Sequence, residues 1–257
     1  MYEIDIVKDI AYSEHKACMI DFYIPKTKDK CPVLIYFHGG GLNSGNRQDE
    51  NILLRLATEY GIAVATADYR MYPEAKFPDF IEDSADAVKF VKNYNQKRSL
   101  FSEYYIGGIS AGGYLAMMLF YNKRYLLSRG IDVEDIAGYI FDTGQPTTHF
   151  NVLAERGLDS RLVRIDDAAP IYYIDKDYKH KELQPKIFML YSDRDISNRA
   201  EQNRLLYQTM FDFNYNMDKI EIKCLEGYLH GGYYEAQYED GTYILPKLYA
   251  DFIIKQL

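Results

Sequence analysis

Apolar and polar positions along the chain switch repeatedly between a period of two and a period near 3.6. Residues 2–10, which alternate, and residues 17–24 read as strands, an antiparallel entry to a sheet. Val33–Phe37 (VLIYF) is a short continuous apolar run, as expected of a strand covered on both faces. Ile52, Leu53, Leu56, Ala57 and Tyr60 have helical spacing, Gly61 stops that helix, and Ile62–Ala67 follows as a strand. Asp79 to about Asn95 reads as a helix with Val88 and Val91 on its apolar side. Tyr104–Ile109 is a strand, followed by a helix from Ser110 through about Leu127. Strands are predicted again at Ala137–Asp142, Ile187–Tyr191 and Ile220–Leu225, with a helix around Leu205–Met210 and an amphipathic helix at Leu245–Ile253. Residues 143–183 have no clean period and suit a small cap or lid. The alternation of strands and helices predicts an α/β fold in one domain over 1–257, its mostly parallel sheet flanked by crossover helices.

The chemistry gathers at the ends of these strands. Gly108-Ile109-Ser110-Ala111-Gly112 matches G-x-S-x-G, and it stands between an apolar strand and a helix, the context that gives the pattern meaning. A sharp strand-to-helix turn lifts the Ser110 hydroxyl off the sheet. Flanking side chains would collide with neighbouring backbone, so glycines stand there. The new helix also points its N-terminal dipole at the site. His38-Gly39-Gly40-Gly41 follows the buried strand Val33–Phe37. Acyl transfer develops an oxyanion, and one preorganised donor is worth about 3 kcal/mol of barrier. The amides of Gly40, Gly41 and Ala111 are the candidate donors. His38, without a metal-spaced partner, reads as a structural residue that orients this loop.

A serine hydroxyl needs a base, and the base needs an orienting carboxylate. The five histidines are His15, His38, His149, His180 and His230. The base belongs in a loop after the last strand, which selects His230. His15 lies too early, His180 sits in a charged stretch, and His149 falls in the aperiodic segment. The acid follows the preceding strand, where Ser192-Asp193-Arg194-Asp195 offers Asp195, with Asp193 as the alternative and Asp142 behind both. Arg194 is available to pair with the unused aspartate.

Composition narrows the partners. The formal charge of −8 lacks the clustered basic surface that nucleic acid or anionic lipid requires. No apolar stretch is long enough to span a bilayer, and the first residues lack the pattern of a secretion signal, so a cytoplasmic address is expected. Cys18, Cys31 and Cys224 are far apart, with no metal-ligand spacing, and fit free thiols in a reducing compartment. The chemistry calls for no metal and no organic cofactor. The 26 Tyr and absence of Trp fit either a tyrosine-lined pocket or a bias of the lineage. A small-molecule ester is the expected partner. Homo-oligomerisation through the C-terminal helix or an edge strand is left open.

Three stretches carry a family resemblance: HGGG at 38–41, DYRMYPEAKFPDFIED at Asp68–Asp83, and GGISAGGYLA at Gly107–Ala116. Together they resemble the α/β-hydrolase fold-3 and acetyl-esterase group, related to the hormone-sensitive-lipase-like bacterial esterases. The resemblance implies an α/β-hydrolase fold and a Ser110, Asp195, His230 triad. The family acid stands three residues after the position of Ser192, and the family base in a His-Gly pair, here His230-Gly231. Ile109 stands where many relatives have Asp, and Tyr114 where Asn or His is commoner. In the Asp68–Asp83 segment, Tyr-Arg and Pro-Glu are expected to organise a loop, and Glu82-Asp83 to start or cap a helix. The implied activity is cleavage of carboxylic esters with short acyl chains, since the short N-terminal stretch leaves little room for a large helical cap. An amidase with the same triad and a non-catalytic scaffold are the rival expectations.

Overall fold

The continuous apolar runs become the centre of one sheet because both of its faces are covered. The computed structural model describes residues 1–48, 51–174 and 182–255. Its strands are β1 (Ile4–Ala11), β2 (Met19–Pro25), β3 (Cys31–Phe37), β4 (Ala63–Ala67), β5 (Phe101–Ile109), β6 (Gly138–Asp142), β7 (Lys186–Arg194) and β8 (Ile220–Leu229). The helices are α1 (Leu54–Tyr60), α2 (Asp79–Arg98), α3 (Ala111–Tyr121), α4 (Arg124–Leu127), α5 (Phe150–Glu155), α6 (Arg199–Asp212) and α7 (Ile244–Ile254). The strand order is β1-β2-β4-β3-β5-β6-β7-β8. The β1–β2 and β2–β4 pairs are antiparallel and every other pair is parallel. This is the α/β-hydrolase arrangement.

Side-chain alternation sorts the sheet into two cores. Val33, Ile35 and Phe37 face the side covered by α2 and α3, with Ile106 and Met189. Leu34 and Tyr36 face the other side with Val64, Ile140, Phe188 and the apolar stripe of α7. The connection from β3 runs outward to β4, and the next crosses back to β5 on the other side of β3. The carboxyl ends of β3 and β5 therefore form the topological switch point, where open α/β sheets bind ligands.

Differences from the sequence pattern are local. The helix expected from Ser110 to Leu127 breaks at Asn122, which leaves helical dihedrals (φ −93°, ψ 79°), and α4 follows separately. Asparagine favours such interruptions because its short amide competes with the backbone. Glu82 and Asp83 do not start α2. The helix begins at Asp79 behind Pro78, and Asp83, a turn inside it, holds the Arg70 guanidinium through contacts of 2.8–3.1 Å. Glu82 pairs with Arg129. The described part of 143–183 contains α5 and a 3₁₀ turn at Pro170–Tyr173. His180 lies outside the described residues.

Candidate active site

The strand β5 delivers Ser110 to the carboxyl edge of the sheet. Ser110 has φ 56° and ψ −110°, a conformation rare outside glycine. Strain of this kind persists only where the surroundings fix it. The Ser110 amide donates to the Asp142 carbonyl at 2.8 Å, and the Tyr114 amide donates to the Ser110 carbonyl at 2.9 Å. The glycines of the motif answer to packing. A Cβ on Gly112 would lie 1.8 Å from the Phe37 carbonyl oxygen, and one on Gly108 2.3 Å from the same atom.

The His230 Nε2 atom lies 2.8 Å from the Ser110 Oγ, and its Nδ1 lies 2.5 Å from the Asp195 Oδ1. The three side chains come from the ends of β5, β7 and β8. Asp195 is fixed in turn: Oδ1 accepts the Ile196 amide at 2.7 Å and Oδ2 accepts the Ser192 hydroxyl at 3.3 Å. Asp193 is directed elsewhere and accepts the Gly227 amide of the edge strand β8 at 2.7 Å, rather than pairing with Arg194. Asp142 also lies outside this chain of contacts. Its carboxylate receives the hydroxyls of Tyr233 and Tyr249.

The glycine loop after β3 faces the same point. Gly40 (φ 103°) and Gly41 (φ 65°) occupy backbone regions that disfavour side chains. The Gly40 carbonyl closes the turn by accepting the amides of Asn43 and Ser44. Among the described residues, no group accepts from the amides of Gly40, Gly41 or Ala111. His38 is buried, stacks on Tyr69 with ring centroids 4.5 Å apart, and its Nδ1 donates to the Gly39 carbonyl at 2.7 Å. Its Nε2 is 3.6 Å from Asp68, an acid thirty residues away that the sequence reading did not connect with it. Asp68 also holds Arg47, together with Asp9 and Asp21, which ties β1 and β2 to the loop.

A cleft of about 540 Å³ opens over these groups, lined by Gly39–Gly41, Asn43, Ser44, Ile109, Ser110, Phe150, Asn151, Ile196, His230 and Gly231. Phe150 and Ile196 also wall a neighbouring hollow of about 440 Å³ whose lining includes Gln145, Leu162, Arg199 and Gln202. Arg199 is buried and bonded to the Thr143 carbonyl and the Gln145 side chain, and burial lowers its guanidinium to about 10. Phe150, Asn151 and Ile196 were missed by sequence reasoning; only the absence of a period marks the segment of the first two, and Ile196, next to Asp195, carries no mark of its own. Asn151 donates to the Gly41 carbonyl, and Tyr114 on α3 donates to the Ala168 carbonyl at 2.8 Å. The unusual tyrosine at 114 thus pins the segment against the sheet. Among the described residues, no group of three or more His, Cys, Asp or Glu side chains is arranged to hold a metal. Among the described residues, no helix is long and apolar enough to cross a membrane.

The family profile described as BD-FAE matches residues 20–152, just over half of the chain. The chain belongs to the BD-FAE family. The BD-FAE match takes in Gly40, Gly41, Ser110 and Ala111 and ends before Asp195 and His230. Among curated proteins, tuliposide A-converting enzyme 2 of Tulipa gesneriana is 31% identical over 130 residues, covering 43% of this chain and 34% of its own length. A 3-O-acetylpapaveroxine carboxylesterase of Papaver somniferum is 28% identical over 130 residues, covering 42% of each. The chain thus aligns with between a third and a half of the length of these relatives. Among solved structures, a bacterial heroin esterase superposes with TM-score 0.73 at 18% identity, over 98% of this chain and 85% of that one. A truncated carbohydrate esterase from gut microbiota gives 0.72 at 18%, over 99% and 98%. At such identities the likeness is one of fold.

Proposed function

We propose that this BD-FAE protein is a carboxylesterase-type serine hydrolase that cleaves small-molecule esters through an acyl-enzyme. The observation that carries the proposal is the continuous contact from Ser110 Oγ through the His230 ring to Asp195, at 2.8 and 2.5 Å. His230 takes the Ser110 proton as Oγ attacks the ester carbonyl. The amides of Gly40, Gly41 and Ala111 receive the oxyanion, whose charge develops only in the transition state. Collapse of the intermediate expels the alcohol, which leaves with the proton from His230. Water then attacks the acyl-enzyme, giving its proton to His230, and the acid departs as Ser110 recovers its hydrogen. Asp195 keeps Nδ1–H directed at itself, so that Nε2 presents a lone pair to Ser110. The named relatives and structural neighbours, esterases among them, support the reaction class.

The lining of the cleft supports short acyl chains. Its apolar contributions are Ile109, Phe150 and Ile196, and beyond them lie Gln145, Arg199 and Gln202. The three apolar side chains beside Ser110 offer wall for a short acyl group.

Replacement of Ser110 by Ala is expected to lower turnover of 4-nitrophenyl acetate and butyrate by at least about a thousandfold. The fold should be retained, as read by circular dichroism. Turnover that survives this replacement would refute the proposal. Across a series from acetate to laurate, kcat/KM should peak at two to four carbons, and a peak at eight or more would refute the acyl-length reading.

A further inference from the structure

The contact between Ser110 and His230 joins two separate pieces of chain. His230 follows the last strand and is itself followed by Gly231 (φ 66°) and Gly232. From Glu226 to Tyr243 one residue is buried, and it is Tyr233. Its hydroxyl reaches the carboxylate of Asp142, which is wholly enclosed at the end of β6. The second oxygen of that carboxylate accepts Tyr249 on α7 at 2.7 Å. The backbone of Asp142 already holds the other partner, because its carbonyl accepts the Ser110 amide at 2.8 Å. One residue therefore grips the turn that carries the nucleophile with its main chain and the loop that carries the base with its side chain.

We propose that Asp142 and Tyr233 are positioning residues that set the distance between Ser110 and His230. The proposal rests on the reading of Ser110 as nucleophile and His230 as base. A phenol bonded to a carboxylate in a buried site makes a strong, directional link. Burial, reinforced by the charge of Asp142, pushes the Tyr233 phenol well above its ordinary range, so it remains a donor at any pH the protein would meet. Without the hydroxyl, the loop keeps its buried ring and loses the bond that fixes its rotation about Gly231 and Gly232. Misplacement by about 1 Å can cost a hundredfold in rate.

Asp142→Asn, Tyr233→Phe and Tyr249→Phe, compared with the parent chain, test the proposal. The readout is phosphonylation of Ser110 by a fluorophosphonate, with loss of fluoride, resolved into a maximal rate constant kinact and a half-saturating concentration KI. Tyr233→Phe should lower kinact at least tenfold with KI within twofold. Asp142→Asn should act in the same direction. Tyr249→Phe removes the equivalent hydroxyl from the same carboxylate but sits on α7, not on the loop, and should change kinact less than threefold. A purely structural carboxylate would make the two tyrosine variants alike. Equal losses in both, or a loss below tenfold in Tyr233→Phe, overturn the proposal. If Tyr233→Phe does not fold, the same thresholds apply to Asp142→Asn. A parent chain that fails to react at all overturns the nucleophile reading instead, and this proposal with it.

Discussion

Two aspartates, two positions apart, close the strand β7, and their environments separate their roles. Asp195 is clasped by the Ile196 amide and the Ser192 hydroxyl and faces the His230 ring. Asp193 is exposed and satisfies the Gly227 amide. Asp195→Asn would present an amide where a carboxylate orients the ring, favouring the wrong tautomer. Its kcat is expected to fall by about three orders of magnitude or more. Asp193→Asn keeps an oxygen for Gly227 and should stay within about threefold of the parent. Steady-state hydrolysis of 4-nitrophenyl butyrate by the two variants decides it, and similar losses would contradict the assignment. The sequence could rank these acids but not separate them. Both stand at a strand end, and the choice is made by the register shift between β7 and β8 at Ser192–Arg194. Ser110 and its glycines were legible because their chemistry is local to five residues. Tyr233 and Asn151 were not, because each acts across about a hundred residues on a partner that no local pattern announces.

Among the elements, the strands were the most legible, since two-sided burial writes a continuous apolar run into central ones such as β3. The short helix α5 was the least, with six residues in a segment that has no period. Its N-cap is His149, whose Nδ1 accepts the Asn151 amide at 3.2 Å while the ring stacks on Phe150. The imidazole is enclosed, and burial, helped by the charge of Arg199, depresses it well below its ordinary value of 6.5. Unfolding restores that ordinary value. Above pH about 6.5 both states are neutral and the group has no effect on stability. Below it the unfolded chain binds a proton that the folded chain refuses. Stability then falls by up to about 1.4 kcal/mol per pH unit until the depressed value is reached. His149→Asn keeps a capping acceptor and removes the titration. Its thermal midpoint should decline less between pH 7 and 5 than that of the parent, and parallel declines would contradict this account.

At the scale of the whole molecule, the groups of the site divide between two lengths of chain. Ser110 and the glycine amides precede residue 152, within the family match, and Asp195 and His230 follow it. The two lengths meet along the β6–β7 ladder, which pairs Gly138–Asp142 with Lys186–Leu190. Between them, residues 159–165 are all exposed. A specific protease site inserted between Ser160 and Arg161 should therefore be cut without loss of hydrolysis. The two pieces should elute together from a sizing column, and each should be inert when isolated from denaturant. Loss of turnover on cleavage would count against this division. If it holds, the protein is a natural split reporter: neither polypeptide reacts, and light from a fluorogenic ester reports their reunion.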